Sequence, residues 1–294
     1  MLVARLEMAI ETIQEFIFHS ELARRAPIFA YYFPGSLSES ALARLGDAGQ
    51  NVVVIPTSIP SPRFEKSEMF YARKNQYAKR FGKGRIGYLD MCHWTTNFFA
   101  EPRLSKFDFI LRFDDDSWLK ASPDISITAA LRSSDWTVAS AGLNSTLSQN
   151  SWDTMENFFS FTRRFVETHH VRVADQRMKF ALDTNDEASF HSLPRSLGNF
   201  NLYRASDFRG DTWLSWAYAV NLYGGHHRFR WSDIIVTGAF ARFVRTDALL
   251  DLGLVASGIY WKSKPGTMPL RHGVYRILTL ARLVLRTLGF RGRS

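Results

Sequence analysis

Cysteine is nearly absent: Cys92 is the single one in 294 residues. It excludes an intramolecular disulfide and a cysteine-built zinc cluster. A long apolar run is also missing from the N-terminus, where Arg5, Glu7, Glu11 and Glu15 interrupt residues 1–20. Such interruptions break a signal-peptide core or a membrane span, so the expected setting is cytoplasmic or peripheral to a membrane. Acid is absent from residues 271–294, which hold Arg271, Arg276, Arg282, Arg286, Arg291 and Arg293 and so supply six of the nine net positive charges. The body of the chain is therefore only mildly basic, and nucleic-acid binding is not expected. No internal repeat, low-complexity segment or linker divides the sequence.

What is present is apolar and aromatic. Hydrophobic residues make up 46% and aromatic ones 14%, with 24 Phe and 8 Trp, enough to exclude disorder and to build a broad core. Val3, Leu6, Ile10, Ile13, Phe16 and Ile17 recur at helical spacing, predicting one helix over residues 3–24. Residues 26–33 read as a strand stopped by Pro34-Gly35, followed by a helix capped within 36–40 and by a strand over 51–56, expected to be buried on both faces. Strand, helix, strand points to a parallel α/β sheet. Helices are expected over 65–80, 88–99, 152–173 and 213–222, strands at 107–113 and 136–141, and an irregular polar stretch over 183–195. Residues 233–244 are apolar and fit either helix or strand.

The densest chemistry follows the strand at 107–113. Phe113 leads into Asp114, Asp115 and Asp116. Three adjacent carboxylates repel one another unless a cation or basic side chains neutralise them. Hard divalent ions prefer oxygen donors, and Mg²⁺ is commonly held by one or two carboxylates plus substrate phosphates. A solvated acidic turn is the alternative. Arg112, two residues back on the strand, is placed to pair with Asp114. His226 and His227 would point to opposite faces of a strand, which argues against joint metal ligation. Met91 and Cys92 read as core.

Four blocks, in one order over residues 26–262, carry a resemblance. They are Gly87 to Phe99, Phe109 to Asp116, Asn199 to Leu202, and Gly224 to Asp233. Together they resemble the fungal Golgi α-1,2-mannosyltransferases, the glycolipid 2-α-mannosyltransferase family, of which this chain would be a divergent member. The resemblance implies a single GT-A-like α/β domain with a mostly parallel central sheet over 26–270, preceded by an N-terminal helix (1–25) and followed by a basic amphipathic tail (271–294). It implies a retaining enzyme that takes mannose from GDP-mannose, with Mn²⁺ or Mg²⁺, onto a glycan or glycoprotein acceptor. Asp114 and Asp116 fall on its metal positions, and Tyr88, Arg112, Arg230 and Trp231 on substrate positions. Asn201 and Asp233 fall at catalytic ones, with Asp233 as acceptor base or hydroxyl anchor.

Departures from the pattern are specific. Asn201 stands where the family has a glutamate, offering a carbonyl but no nucleophile or base. The later metal-binding histidine has no counterpart at 259–263, and His272 is the nearest downstream candidate. Thr237 stands where another histidine is expected. Three routes stay open for the chemistry, namely front-face displacement assisted by the leaving phosphate, service by another carboxylate, or loss of activity; the competing functions are transfer from another donor sugar and binding of nucleotide sugar or carbohydrate without transfer. The last helix, 274–290, with its interleaved arginines, suits contact with an anionic membrane surface.

Overall fold

The computed structural model describes residues 6–57, 86–115, 117–144, 155–197, 200–229 and 231–261. The helix expected at 65–80, the Trp152 segment and the basic tail lie outside them.

The first expected helix is two. Helix α1 (Leu6–His19) buries Ala9, Thr12, Ile13 and Phe16, one stripe at three- and four-residue spacing. At Ser20 the backbone turns extended and its side chain caps α2 (Glu21–Arg25), accepting from Ala23 N. Asp124 fixes the break: its carboxylate accepts from Ser20 Oγ at 2.5 Å and Glu21 N at 2.7 Å. A side chain 104 residues away thus supplies what apolar periodicity alone does not reveal.

Strand β1 (Ile28–Tyr32) pairs in parallel with β2 (Val52–Pro56), joined by α3 (Glu39–Gly46) with Ser38 as N-cap. The β2 strand is not buried on both faces as expected, since Val53 is 43% exposed. The main sheet runs in the order β3 (Phe109–Phe113), β8 (Phe200–Arg204), β5 (Val138–Ser140), β9 (Leu249–Asp251). Here β8 lies antiparallel to both β3 and β5, while β5 and β9 are parallel. The α/β, GT-A-like single-domain expectation holds, with a sheet mixed in direction rather than mostly parallel. Strand β8 enters between β3 and β5 after a long excursion, so its direction is set by that return and not by local pattern. Two short antiparallel ribbons complete the strands: β4 (Trp118–Leu119) with β10 (Tyr260–Trp261), and β6 (Leu143–Asn144) with β7 (Arg195–Ser196).

Side-chain alternation divides the core. Phe109, Leu111 and Phe113 of β3, with Phe200 and Leu202 of β8, join the cluster beneath α1 and α5 (Asp124–Arg132). Ile110 and Tyr203 turn to the other face. That face is covered by α4 (Ile86–Asn97), α9 (Asp211–Tyr223) and α11 (Asp233–Val244). Trp213, Trp216 and Trp231 are at most 2% exposed there. Residues 233–244 are thus helix, and 152–173 shortens to α6 (Phe158–Thr168). The stretch 183–195 is more ordered than expected. Following α7 (Gln176–Asp183), Asp186 caps α8 (Glu187–His191) by accepting from Ser189 N.

His226 and His227 sit on a short helix, α10 (Gly225–Phe229), and not on a strand. Gly224 ends α9 in the left-handed region at φ 72°, a conformation glycine adopts without penalty. At Gly225 a Cβ would lie 2.0 Å from the Trp231 ring, so only glycine allows that close approach.

Candidate active site

Because β3 and β8 pair antiparallel, Arg112 stands directly opposite Asn201. Both belong to the strand positions that face α4 and α11. The geometry gathers residues that the sequence scatters across 142 positions. Arg112 Nη1 donates to Asp233 Oδ2 at 2.5 Å, and its Nη2 to Asp114 Oδ1 at 2.8 Å and Met91 Sδ at 3.4 Å. Cys92 Sγ lies 3.5 Å from the other Asp233 oxygen. Asn201 Nδ2 donates to Tyr203 Oη at 3.2 Å.

Burial opposes the charge on Arg112, yet Asp114 and Asp233 outweigh it and hold its pKa well above the ordinary value. The guanidinium stays charged. Burial likewise raises the Tyr203 phenol, with Arg112 pulling the other way, so the phenol remains protonated. One guanidinium faces two carboxylates, so these three groups carry net negative charge before Asp116 is counted. Asp114 is the open member, its side chain 27% exposed against 5% for Asp233.

The turn after β3 is pinned from afar. Thr12 Oγ1 of α1 lies 3.0 Å from the carbonyl oxygens of both Asp115 and Ser117, its single proton shared between them. Ribbon β4–β10 follows at once, with Lys120 over the Trp261 ring at 4.9 Å. Asp115 is only 4% exposed. Its backbone carbonyl is part of the turn's anchor.

A second polar group adjoins the first through α4. His227 Nε2 bonds Asp90 Oδ1 at 3.0 Å. His226 is held on both ring nitrogens, by Thr96 Oγ1 at 2.8 Å and the Trp231 carbonyl at 2.6 Å. Burial pushes its pKa down to about 3, against the Trp231 bond and with help from His93 and His227. The pair is structural, as expected, for the different reason that each ring has its own partner on a helix. Among the described residues no group of three His, Cys, Asp or Glu side chains is placed to hold a metal ion.

Each expected site residue can now be placed. Arg112, Asp114, Asn201 and Asp233 come together. Asp233 is the first residue of α11 and is engaged on both oxygens, by Arg112 and by Cys92, so it is arranged to hold Arg112 rather than to stand open as an acceptor base. Trp231 is 0% exposed, and its Nε1 donates to the Glu156 carbonyl at 2.8 Å. That leaves no ring face for a substrate and corrects the substrate-binding expectation. Thr237 spends its hydroxyl on the Asp233 carbonyl at 2.8 Å. Asp116, Arg230, His272 and the Tyr88 side chain lie outside the described residues. The sequence reading missed Thr12 and Tyr203 altogether, and it placed Met91 and Cys92 as plain core although both touch the ionic cluster.

A divalent ion suits the donor chemistry on one observation. Asp114 presents a partly exposed carboxylate at the end of β3, its side chain 27% exposed. So few protein ligands suit an ion that completes its shell with phosphate oxygens and water. The amide oxygen of Asn201 is buried with no hydrogen-bond partner, an acceptor waiting for a donor that the described residues do not supply.

Comparison with solved structures shows the fold. The fold is that of GT-A-like mannosyltransferases. The chain is similar to core-mannan synthase A from Aspergillus fumigatus in its Mn/GDP form, with 15% identity, 82% of this chain and 68% of that one covered, and a TM-score of 0.63. It is similar to the mannosyltransferase Ktr4p from S. cerevisiae, with 18% identity, coverage of 84% and 66%, and a TM-score of 0.64. For Ktr4p in complex with GDP the values are 16%, 83% and 66%, and 0.65. The chain thus spans about two thirds of these proteins' length. No family model and no curated protein matches the sequence.

Proposed function

We propose that the protein is a metal-dependent, retaining glycosyltransferase that moves mannose from GDP-mannose to a glycan hydroxyl. The observation that carries this reading is the Arg112 cluster: a strand end delivers the partly exposed Asp114 carboxylate to a buried guanidinium shared with Asp233, on a fold like that of mannosyltransferases. Asp114 and Asp116 are the residues that would hold Mn²⁺ or Mg²⁺, which when bound screens the growing charge of the departing diphosphate.

The chain's own residues have separate roles in this reading. Asp233 and Met91 fix the Arg112 guanidinium, which holds Asp114 in place. Asn201, opposite Arg112 and fully buried, brings a neutral amide and no nucleophile to that position, so no covalent ester forms there. With no carboxylate at that position, front-face displacement is the route consistent with retention. Tyr88, on the same helix as Met91, serves sugar or phosphate with its phenol. The basic tail adds peripheral contact with an anionic membrane; no helix among the described residues is long and apolar enough to cross one.

Calorimetry of GDP with and without Mn²⁺, paired with GDP release from GDP-mannose and an α-mannoside acceptor, tests the proposal. Binding should require the metal and vanish in Asp116→Ala, whose circular dichroism should match the parent. Unchanged Mn²⁺-dependent affinity in that variant defeats the metal assignment. Binding without release from any GDP-sugar favours a binding protein over a transferase.

A further inference from the structure

A cavity of about 480 Å³ opens beside the C-terminal half of α4, bounded also by the end of β2 and by α9. Its polar groups are amides in a chain: Asn221 Nδ2 donates to Asn97 Oδ1 at 2.8 Å, and Asn97 Nδ2 to the His93 carbonyl at 2.7 Å. Two aromatic side chains join them. Trp94 lies in the wall with its Nε1 committed to Thr57 Oγ1 at 3.0 Å. Tyr218, on α9, is 49% exposed. The one carboxylate in the lining, Glu101, is held by Arg103 at 2.8 Å.

The lining selects a ligand class. Its volume falls within the range of small-molecule sites. Among the described residues it contains no Lys or Arg, and its imidazole, His93, is only 2% exposed, so a neutral ligand suits it better than a phosphate or carboxylate. Aromatic faces accept flat apolar surface, while side-chain amides both donate and accept. A neutral molecule with C–H faces on one side and hydroxyls that donate and accept around its edge is a carbohydrate.

Position narrows the role. Met91 touches Arg112, and Asn97 lies six residues further along the same helix, about 9 Å at 1.5 Å per residue. We infer that the cavity is a subsite for a remote sugar of an oligosaccharide acceptor whose reacting end lies at the Arg112 cluster. The role as acceptor subsite rests on the glycosyltransferase reading; carbohydrate binding in the cavity does not.

Tyr218→Ala is the diagnostic change, because half the side chain is already in solvent and its loss leaves the core intact. Titration of α-linked mannotriose into nucleotide-free protein, followed by tryptophan fluorescence and checked by calorimetry, should show binding that the variant weakens at least tenfold. In turnover, the variant should raise KM for mannotriose as acceptor and leave KM for methyl α-mannoside and for donor unchanged. Absence of mannotriose binding in the parent, or equal affinity in the variant, overturns the site. An equal rise in KM for both acceptors overturns its role as a remote subsite. If no GDP-sugar turns over while mannotriose still binds through Tyr218, the transferase reading fails and the carbohydrate site stands.

Discussion

Arg112 and Arg242 are both buried and both bonded to buried aspartates, yet Arg112 keeps a carboxylate partner partly in solvent and Arg242 does not. Arg242 meets one carboxylate, Asp175, and spends a further donor on the Pro194 carbonyl at 2.6 Å. Asp175 in turn caps α7 by accepting from Arg177 N at 2.9 Å and Met178 N at 3.1 Å. Asp175 also meets Arg177 Nε at 3.9 Å, so no negative charge is left over, and the pair ties α11 to the start of α7. Arg112 meets two carboxylates, one of them partly open to solvent, with an unbonded amide oxygen across the strand. Burial depresses the pKa of Arg242 despite Asp175, whereas two carboxylates overcome burial at Arg112. The closed pair is a clamp; the Arg112 cluster keeps one carboxylate partly in solvent, where a ligand cation can reach it.

The comparison breaks most sharply at the clamp. Asp175→Ala strands a buried guanidinium and uncaps α7, so denaturant unfolding should show a loss of about 3–5 kcal/mol. Mn²⁺ should raise its melting temperature by the same increment as in the parent; a lost increment would mean that the two regions are not independent. At the open cluster, Asp114→Asn should do the reverse. Turnover is expected to fall at least 100-fold, about 2.7 kcal/mol in the barrier, with stability within about 1 kcal/mol of the parent and the Mn²⁺ increment gone. A variant as unstable as Asp175→Ala would place Asp114 among the clamps.

Smaller effects sharpen the difference. Asn201→Ala should lower kcat about tenfold, about 1.4 kcal/mol, with little change in donor KM; an unchanged rate removes Asn201 from the mechanism. The smallest is the proton linkage of His226, which lies beside the open cluster. Its folded pKa is depressed to about 3 from 6.5, so the unfolded chain binds the proton more readily. The contribution is complete above pH 6.5 and is lost as pH falls toward 3. Between pH 7 and 6 it should cost about 0.7 kcal/mol. Denaturant midpoints across this range check it, and His226→Gln should flatten the slope.

Much of the scaffold was legible because its signals are local. Pro34-Gly35 stops β1, Ser38 caps α3 and Gly224 ends α9, each acting within a turn of its own position. The acidic run after an apolar strand marked the site's entrance, and two-residue alternation placed Arg112 on one side with Asp114. The failures have one physical cause, namely partners far apart in sequence. Asp124 breaks the first helix, the return of β8 makes the sheet mixed, and the Glu156 carbonyl, 75 positions away, holds Trp231 in the core and away from any substrate.

The sequence by itself determined the first strand–helix–strand unit, that a dense carboxylate run ends β3, and that Asn201 brings no charge to a position where the resembled family has one. Only the tertiary structure decided what those residues face. The antiparallel pairing of β3 with β8 sets Asn201 against Arg112, the start of α11 brings Asp233 from 121 positions away, and Thr12 fixes the turn from 103 away. Local propensity acts over a few residues, whereas charge balance in a buried site is set by whichever side chains packing brings within about 3 Å, a hydrogen bond's reach.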